Sequence, residues 1–474
     1  MTLVTIVAMQ DFNLEALIHD PIHGYIPIGK RDKRDAASDS AICEQDVINH
    51  PWVQRMRNIH QLQTAWWIYP TAEHSRFQHI LGVMHLASRW VQALYPSLQR
   101  VCDEVPSIGY VESLMRMAGL LHDVGHGPFG HFFDEHYLRQ FNETHETLGA
   151  QIISTELGEI LRQLRSNPNS RLADDEQLDP EQVAWIIQRP AADDGNRPKW
   201  LMFLRSLLSG IYTIDNMDFV LRDAYMTGYS QRSYDLERLL RYSFFSEHGL
   251  TIHDRGIHAL LRFMGARAEL FRNVYFHRSV RGIDLALTDV FAQTMPLLFP
   301  GNPREHLAHY LQLTESSLLV DVARWQHAEG EAGELGRHWQ EILQCRVPWM
   351  MVCQRTMTFD EGDHEASSIF TDQEFVEKKL RTALPAHLQS IDLRIDIARH
   401  IFRPLVQGPV AGQNYLLDSA TEQIRPLTSH ELIDRQPVAQ RICRIYARDM
   451  QHQSELAGAL QVLSGHGEDD LTNM

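Results

Sequence analysis

The stretch Ala118–Asp134, AGLLHDVGHGPFGHFFD, limits what this chain can become more than any other. Leu114, Met117, Ala118 and Leu121 recur at i, i+3, i+4 and i+7, which predicts a helix with one buried face leading into it. His122 and Asp123 then stand at or near the helix end. Adjacent helical residues point about 100° apart, so both side chains reach one ion only from within a deep pocket. Gly125, Gly127 and Gly130 let the chain turn tightly, in conformations a Cβ would oppose, and return His126 and His131 towards the same place. This is the composition of a metal site.

A single histidine beside an apolar face is most often a satisfied core or surface residue, and the His-Asp dipeptide alone means little. It occurs three times, at His19-Asp20, His122-Asp123 and His253-Asp254. The cluster is different, because three histidines at this spacing among glycines require several independent coincidences.

At 474 residues the chain is long enough for two substructures, since single cores stop growing at about 250 to 300 residues. Its 44% hydrophobic and 22% charged content is that of a soluble globular protein. A net charge of −17 argues against nucleic acid as a main ligand and against an anionic membrane, so any phosphate site must be built locally. Cys43, Cys102, Cys345, Cys353 and Cys443 form no CxxC pair, and their scatter suits buried free thiols in a reducing cytoplasm. The opening MTLVTIVAMQ has no basic flank and is too short to span a bilayer, so neither an export signal nor a membrane segment is expected.

Taken in order, Asp20–Ile28 reads as a turn with a short β element, Lys30–Ser40 as a loop, and the segment from Val47 to Leu62 as helical. Trp66, Trp67 and Tyr69 suit core packing. A long helix is predicted over about Ser75–Leu94, with Arg76 and His79 three apart near its start. There His79 gains a place as a metal ligand, and Arg76 can meet an anion through its planar fork. Thr144 is a helix cap that projects His145 from a first turn as an acid or base. Residues 165–200 read as an excursion without a catalytic role. The helix over Asp215–Asp223 opens on Asp215, which as a fourth ligand completes two histidines and two aspartates. The arginine-rich helix Leu260–Thr288 reads as a solvated face. Beyond Phe299, helices to Leu343, strands near Val347–Val352, Arg394–Arg403 and Asn414–Leu417, and a helix over Ser429–Met450 suggest a smaller α+β lobe. The expected division is a core over 1–298, a lobe over 299–464 and a disordered tail over 465–474.

Together, RFQHILGV at Arg76–Val83, the central run, THE at Thr144–Glu146 and IDNMDFVLRDAYMTG at Ile214–Gly228 resemble the HD-domain phosphohydrolases. More closely the chain is similar to the deoxynucleoside triphosphate triphosphohydrolases, including the vertebrate SAM-and-HD-domain enzymes, here without the SAM domain. DPIHGYI at Asp20–Ile26, QRMRNIHQL at Gln54–Leu62 and QRICRIYARD at Gln440–Asp449 extend the likeness over most of the chain. The resemblance implies a mainly α fold, with an HD helical core and a C-terminal α+β lobe. It implies His79, His122, Asp123 and Asp215 as metal ligands, and His145, His126 and His131 as catalytic or phosphate-contacting groups. It places Gln61, Leu62 and Asp223 against the deoxyribose, and Arg76, Arg267 and Tyr275 at phosphate-side or sugar-packing positions. The implied reaction releases triphosphate and a deoxynucleoside, in a cytoplasmic homo-oligomer, dimer or tetramer.

Two imidazoles and two carboxylates suit Mn, Fe, Co, Ni or Zn, with Mg as a further ion on the phosphates. Asn216 and Phe219 depart from the family, which usually has a lysine or arginine and a tyrosine at these positions. Ala16, His19 and Asn49 likewise replace residues that hold the activating guanine nucleotide in the vertebrate enzyme, so that activation is not expected. The alternative substrate is another phosphomonoester or phosphodiester, such as a modified or cyclic nucleotide.

Overall fold

Two long helices, Arg76–Val101 and Ile108–Leu121, pack side by side and form the spine of the protein. This computed structural model describes residues 15–30, 42–189, 197–210, 212–360, 368–402 and 414–464. The expectations for the opening run and the 465–474 tail lie outside the described residues, as does nearly all of the loop over Lys30–Ser40.

The first spine helix starts where Gln78 Oε1 accepts from the Ser75 N–H at 2.6 Å, a local closure of the free helix N-terminus. The second is capped by Ser107, whose Oγ accepts from Tyr110 N at 3.2 Å. Sequence periodicity predicts one buried face for it, yet every residue after Ile108 is buried, Glu112 and Arg116 included. Arg116 meets Glu44 through two hydrogen bonds of 2.5 and 2.8 Å, so the charge enters the core as a bidentate pair.

Around this spine stand helices His145–Thr155, Pro180–Ile187, Ile214–Met226, Ile257–Leu270 and Arg278–Leu298. Helices Glu315–Trp325 and Gly330–Leu343 share the same apolar core through Leu318, Val322, Trp339 and Ile342. The predicted Val47–Leu62 helix is broken into Glu44–Ile48, Pro51–Gln54 and a 3-10 turn at Arg55–Asn58. Pro51 explains the break, since it lacks an N–H to continue the first helix and opens the next one instead.

Residues Glu15–Asp20 and Gly24–Gly29 form an antiparallel hairpin. A four-stranded sheet runs in the order Ser243–Ser246, Gly249–His253, Asn414–Asp418, Gln423–Pro426, and its two middle strands pair in parallel. A three-stranded antiparallel sheet places Ala439–Ala447 between Met350–Phe359 and Leu393–Ile401. With helices Gln373–Ala383 and Gln453–Ser464 it encloses a second apolar core around Val376, Leu380, Ile395 and Ile445. The architecture is mainly α with a smaller α+β lobe.

The helix expected over Ser429–Met450 is not formed. Only Glu431–Asp434 is helical, and Ala439–Ala447 is the central strand. Ile442, Cys443, Ile445 and Tyr446 are spaced as on a helix face, but a strand covered on both sides also carries a near-continuous apolar run. Cys43, Cys102 and Cys443 are buried free thiols as expected, whereas Cys345 is exposed.

Candidate active site

The central helix stops at Leu121 with His122 as its C-cap, so the two signature side chains emerge where the backbone leaves helical geometry. Two different reasons require the glycines that follow. Gly130 has φ +56°, a left-handed conformation, and a Cβ there would lie 2.3 Å from Arg76 Nη2. Gly125 has no such dihedral, but a Cβ on it would lie 2.0 Å from the His145 carbonyl oxygen, so a side chain is excluded by the approach of the next helix. Arg55 fastens the turn from behind, donating to the carbonyls of His126 at 2.5 Å, Leu313 at 2.7 Å and Tyr310 at 3.1 Å.

The four predicted ligands converge. His79 Nε2 lies 3.1 Å from Asp215 Oδ1, and His122 Nε2 lies 3.7 Å from the same oxygen and 3.4 Å from Asp123 Oδ1. Ligand atoms of His79, His122 and Asp123 all fall within 4.8 Å of one another. Ligands about 2.0–2.2 Å from one ion stand at such separations. His122 Nδ1 faces the Gly119 carbonyl at 2.9 Å, an acceptor, so the proton sits on Nδ1 and the lone pair on Nε2. That Nε2 is buried without a hydrogen-bond partner. The donor set and this orphaned lone pair fit a divalent cation.

The electrostatics agree. Burial disfavours a charge on His79, but Asp215 and Asp218 outweigh it and push the imidazole up to about 10. Burial also opposes the charge of Asp123, and His122 and Arg76 nevertheless hold its carboxyl well below the ordinary range. Arg76 Nη1 donates to Asp123 Oδ2 at 2.6 Å. The proton on the His79 imidazole thus balances the carboxylates where a cation would otherwise do so.

Asp218 was not foreseen. His79 Nδ1 bonds its Oδ2 at 2.8 Å, while Oδ1 meets His23 Nε2 at 2.7 Å and Arg222 Nη2 at 2.9 Å. Arg222 continues to Asp20 at 2.7 Å, and Asp20 caps the backbone N–H groups of Ile22 and His23. A buried chain of charge therefore runs from the site to the N-terminal hairpin. The i, i+3 spacing of Asp215 and Asp218 was the available signal in the sequence; the link to residues some 200 positions away left none.

His126, His131 and His145 form a second group with Asp134, all ligand atoms within 4.8 Å of one another. His145 Nδ1 bonds Asp134 Oδ2 at 2.5 Å, and its ring stacks on His126 with centroids 3.8 Å apart. Thr144 caps this helix as expected, accepting from Thr147 N at 3.2 Å. Burial works against the Asp134 charge, but the imidazoles of His126, His145 and His131 hold its carboxyl far below the usual range.

Both groups open on a cavity of about 390 Å³, where Gln61, Leu62, Arg76, Asp223 and Tyr275 line the wall, as do His131 and His145. Tyr275 donates to Asp223 Oδ2 at 2.6 Å, and His74 Nε2 meets its Oδ1 at 2.9 Å. A π-helical turn at Phe271–Tyr275 carries Phe271 and Tyr275 to the wall, with Phe276 next to it. Arg267 is not among the lining residues. It donates to Asn216 Oδ1 at 3.1 Å and to the Ile401 carbonyl at 3.0 Å. His126 is fully buried behind the wall. The 165–200 segment is more than an excursion, because Ile187 and Arg189 line the cavity and Arg189 meets Glu146 at 3.0 Å.

A family model described as the HD domain matches residues 76–188. The uncharacterized protein YwfO of Bacillus subtilis is 30% identical over 331 residues, 66% of this chain and 67% of that protein. The deoxynucleoside triphosphate triphosphohydrolase SAMHD1 of Gallus gallus is 30% identical over 60% of this chain. Human SAMHD1 is 23% identical over 92% of this chain and 71% of its own length. This chain spans about half the length of the Gallus gallus relative, 46%. A crystal structure of a hypothetical protein from Aquifex aeolicus shares the fold, with TM-score 0.67 and 23% identity over 94% of this chain and all of that one.

The chain belongs to the HD-domain family of metal-dependent phosphohydrolases. Within that family it is similar to the deoxynucleoside triphosphate triphosphohydrolases. Among the described residues no helix is long and apolar enough to cross a membrane.

Proposed function

We propose that this chain hydrolyses deoxynucleoside triphosphates to deoxynucleoside and triphosphate, with His79, His122, Asp123 and Asp215 holding one divalent transition metal, Mn, Fe, Co, Ni or Zn. The observation that carries the reading is the buried, unpartnered lone pair of His122 Nε2 beside two carboxylates. A divalent ion held there lowers the pKa of water and neutralises charge on phosphate oxygens.

The chain's own groups supply the rest. Asp134 fixes His145 through Nδ1, which leaves Nε2 as the nitrogen that exchanges a proton with the reacting oxygen. Arg76 reaches the phosphate from Asp123, His131 borders the same side, and His126 backs it from behind the wall. Gln61 Oε1 is buried without a partner, an acceptor suited to a sugar hydroxyl, and Asp223 with Tyr275 faces the same space. Arg267 stands behind this wall and supports it through Asn216.

One observation favours the second reading, a phosphomonoester or phosphodiester. Asp123, Glu146, Asp215, Asp223 and Asp284 line the cavity against Arg76, Arg189 and Arg281, and each arginine is already paired with a carboxylate. Among the described residues of the cavity a tetra-anionic chain therefore meets no uncommitted guanidinium, and needs either a Mg ion of its own or fewer phosphates. Product analysis over mono-, di- and triphosphates with Mn, Co or Fe decides between them. Release of triphosphate from a deoxynucleoside triphosphate is expected; phosphate release from monophosphates, or opening of cyclic esters to monoesters, with no triphosphate formed would replace the first reading with the second, and turnover of neither class would end both. A cytoplasmic homo-oligomer, dimer or tetramer, is part of the same proposal and is checked by fractionation and by light scattering.

A further inference from the structure

We propose that Tyr310 and Glu315 are positioning residues of the phosphohydrolase site, the two arms of one short brace: Tyr310 fixes the turn beside the proton-exchanging His145, and Glu315 fixes the wall that meets the substrate. The inference rests on the function proposed above and adds to the site residues 310–315, which the sequence assigns to the C-terminal lobe. Neither side chain lines the cavity, so each acts through the groups it holds.

Tyr310 stands on the helix Leu307–Gln312 and is wholly buried. Its hydroxyl donates to the Gly125 carbonyl at 2.7 Å, and Arg55 takes the next carbonyl, that of His126. The Arg55 guanidinium lies 4.5 Å from the centre of the Tyr310 ring and also donates to the Tyr310 and Leu313 carbonyls, so the two side chains hold each other. Two successive carbonyls of the turn are thereby fixed. Gly125 approaches the His145 backbone so closely that no Cβ fits, and the His126 ring stacks on that of His145. A shift of the turn is therefore a shift of the imidazole that Asp134 orients, and a misplacement of about 1 Å can cost about 10²-fold in rate.

Glu315 opens the helix Glu315–Trp325 and is likewise wholly buried, at the helix end that favours a negative charge. Its carboxylate accepts three N–H groups from one stretch of chain: the His60 backbone at 3.2 Å, His60 Nδ1 at 2.7 Å and Trp66 Nε1 at 3.1 Å. The His60 and Trp66 rings stack with centroids 4.4 Å apart, which closes the grip. His60 is the middle of a short antiparallel pairing with Ser75. On either side of it Gln61 N donates to the His74 carbonyl at 3.0 Å and Arg76 N to the Ile59 carbonyl at 2.9 Å. Gln61, Leu62 and Arg76 all line the cavity. One buried carboxylate thus sets the backbone that presents both the sugar-side acceptor and the phosphate-side arginine.

The test separates kcat from KM on the full chain loaded with Mn, each variant being checked for fold by circular dichroism and for bound metal. Tyr310→Phe removes only the hydroxyl, and is expected to lower kcat about tenfold with KM within about twofold and metal content unchanged. Glu315→Gln places an N–H2 group against N–H donors, and is expected to raise KM about tenfold with kcat within about twofold. A general loosening of the core would move both constants in both variants. Should either variant fail to fold, Arg55→Lys repeats the first arm and Trp66→Phe, which removes one donor, the second. Folded variants with wild-type constants, equal changes in kcat and KM, or loss of metal on Tyr310→Phe would overturn the brace while the wild type still turns over. A wild type that hydrolyses no phosphate ester would instead overturn the hydrolase reading, and the brace with it.

Discussion

His79 Nδ1 lies 2.8 Å from Asp218 Oδ2, in a core where both side chains are almost wholly withdrawn from water. The contact orients a proposed metal ligand from behind, since a proton held on Nδ1 leaves Nε2, beside Asp215, as the nitrogen free to take up an ion. Arg222 and His23 in turn hold the carboxylate, which has no freedom to release the ring.

Substitution of Asp218 by Asn is therefore expected to weaken metal binding about 10–100-fold, the usual cost of losing an outer-shell partner. It also leaves Arg222 with less compensation in the core, and breaking a buried pair costs about 3–5 kcal/mol. Equilibrium dialysis reads the first effect and thermal unfolding the second. Unchanged metal affinity in a folded variant would show that Asp218 does not orient His79.

Gly82 offers a probe of the same chain of charge that alters no polar group. A Cβ there would stand 2.0 Å from Asp218 Oδ1 and 2.4 Å from Arg222 Nη2. Gly82→Ala is expected to lower both Tm and metal content, because displacing Asp218 loosens its hold on His79 and Arg222 together. An alanine variant with wild-type metal content would contradict this.

The ion-free protein has a defined pH response. The His79 imidazole is raised from an ordinary value near 6.5 to about 10, so its stabilisation is fully present below about pH 6.5 and is lost as pH rises through about 10. Stability of the ion-free chain should fall across that window, while metal affinity should rise, since the cation displaces the proton. Thermal melts from pH 6 to 10 with and without Mn measure both. A melting temperature of the ion-free chain that is flat or rises across this range would remove the argument.

His145→Ala should lower kcat by about 10²–10⁴-fold with the bound metal retained, as for loss of a general acid or base. Asp215→Ala should lose metal as well as rate. Equal metal loss in the two variants would assign His145 to binding instead of proton transfer.

Arg189 has a side chain 78% exposed and stands at the cavity wall beside Glu146. Its replacement by Ala is expected to raise KM by about tenfold with Tm unchanged, the order expected of a solvent-weakened charged hydrogen bond to phosphate. No change in KM would show that the substrate does not extend to this side.

The approach of the four proposed ligands was legible in the sequence because they sit on signals that are local: a helix end at Leu121, the start of a helix at Ser75, and a Thr213 cap before Asp215. The layer behind it was not. Asp20, His23 and Arg222 join Asp218 only through tertiary folding, and the Asp20 dipeptide reads like any other. Arg189 was hidden by a polar segment, and the strand Ala439–Ala447 by a buried apolar run whose spacing matches a helix. Even the glycines were understood for one reason where two apply, since Gly125 is fixed by a neighbouring carbonyl and not by its dihedral angle.

The parallel pairing of Gly249–His253 with Asn414–Asp418 also governs the order in which the protein can be assembled. During synthesis the earlier strand leaves the ribosome with one open edge, although every proposed metal ligand has already emerged. It keeps that open edge until the chain has been translated past residue 418, and contacts of such long sequence separation form slowly. A nascent or truncated chain ending before Asn414 would therefore carry all four proposed ligands together with a strand left open along one edge, the feature through which partly made proteins aggregate.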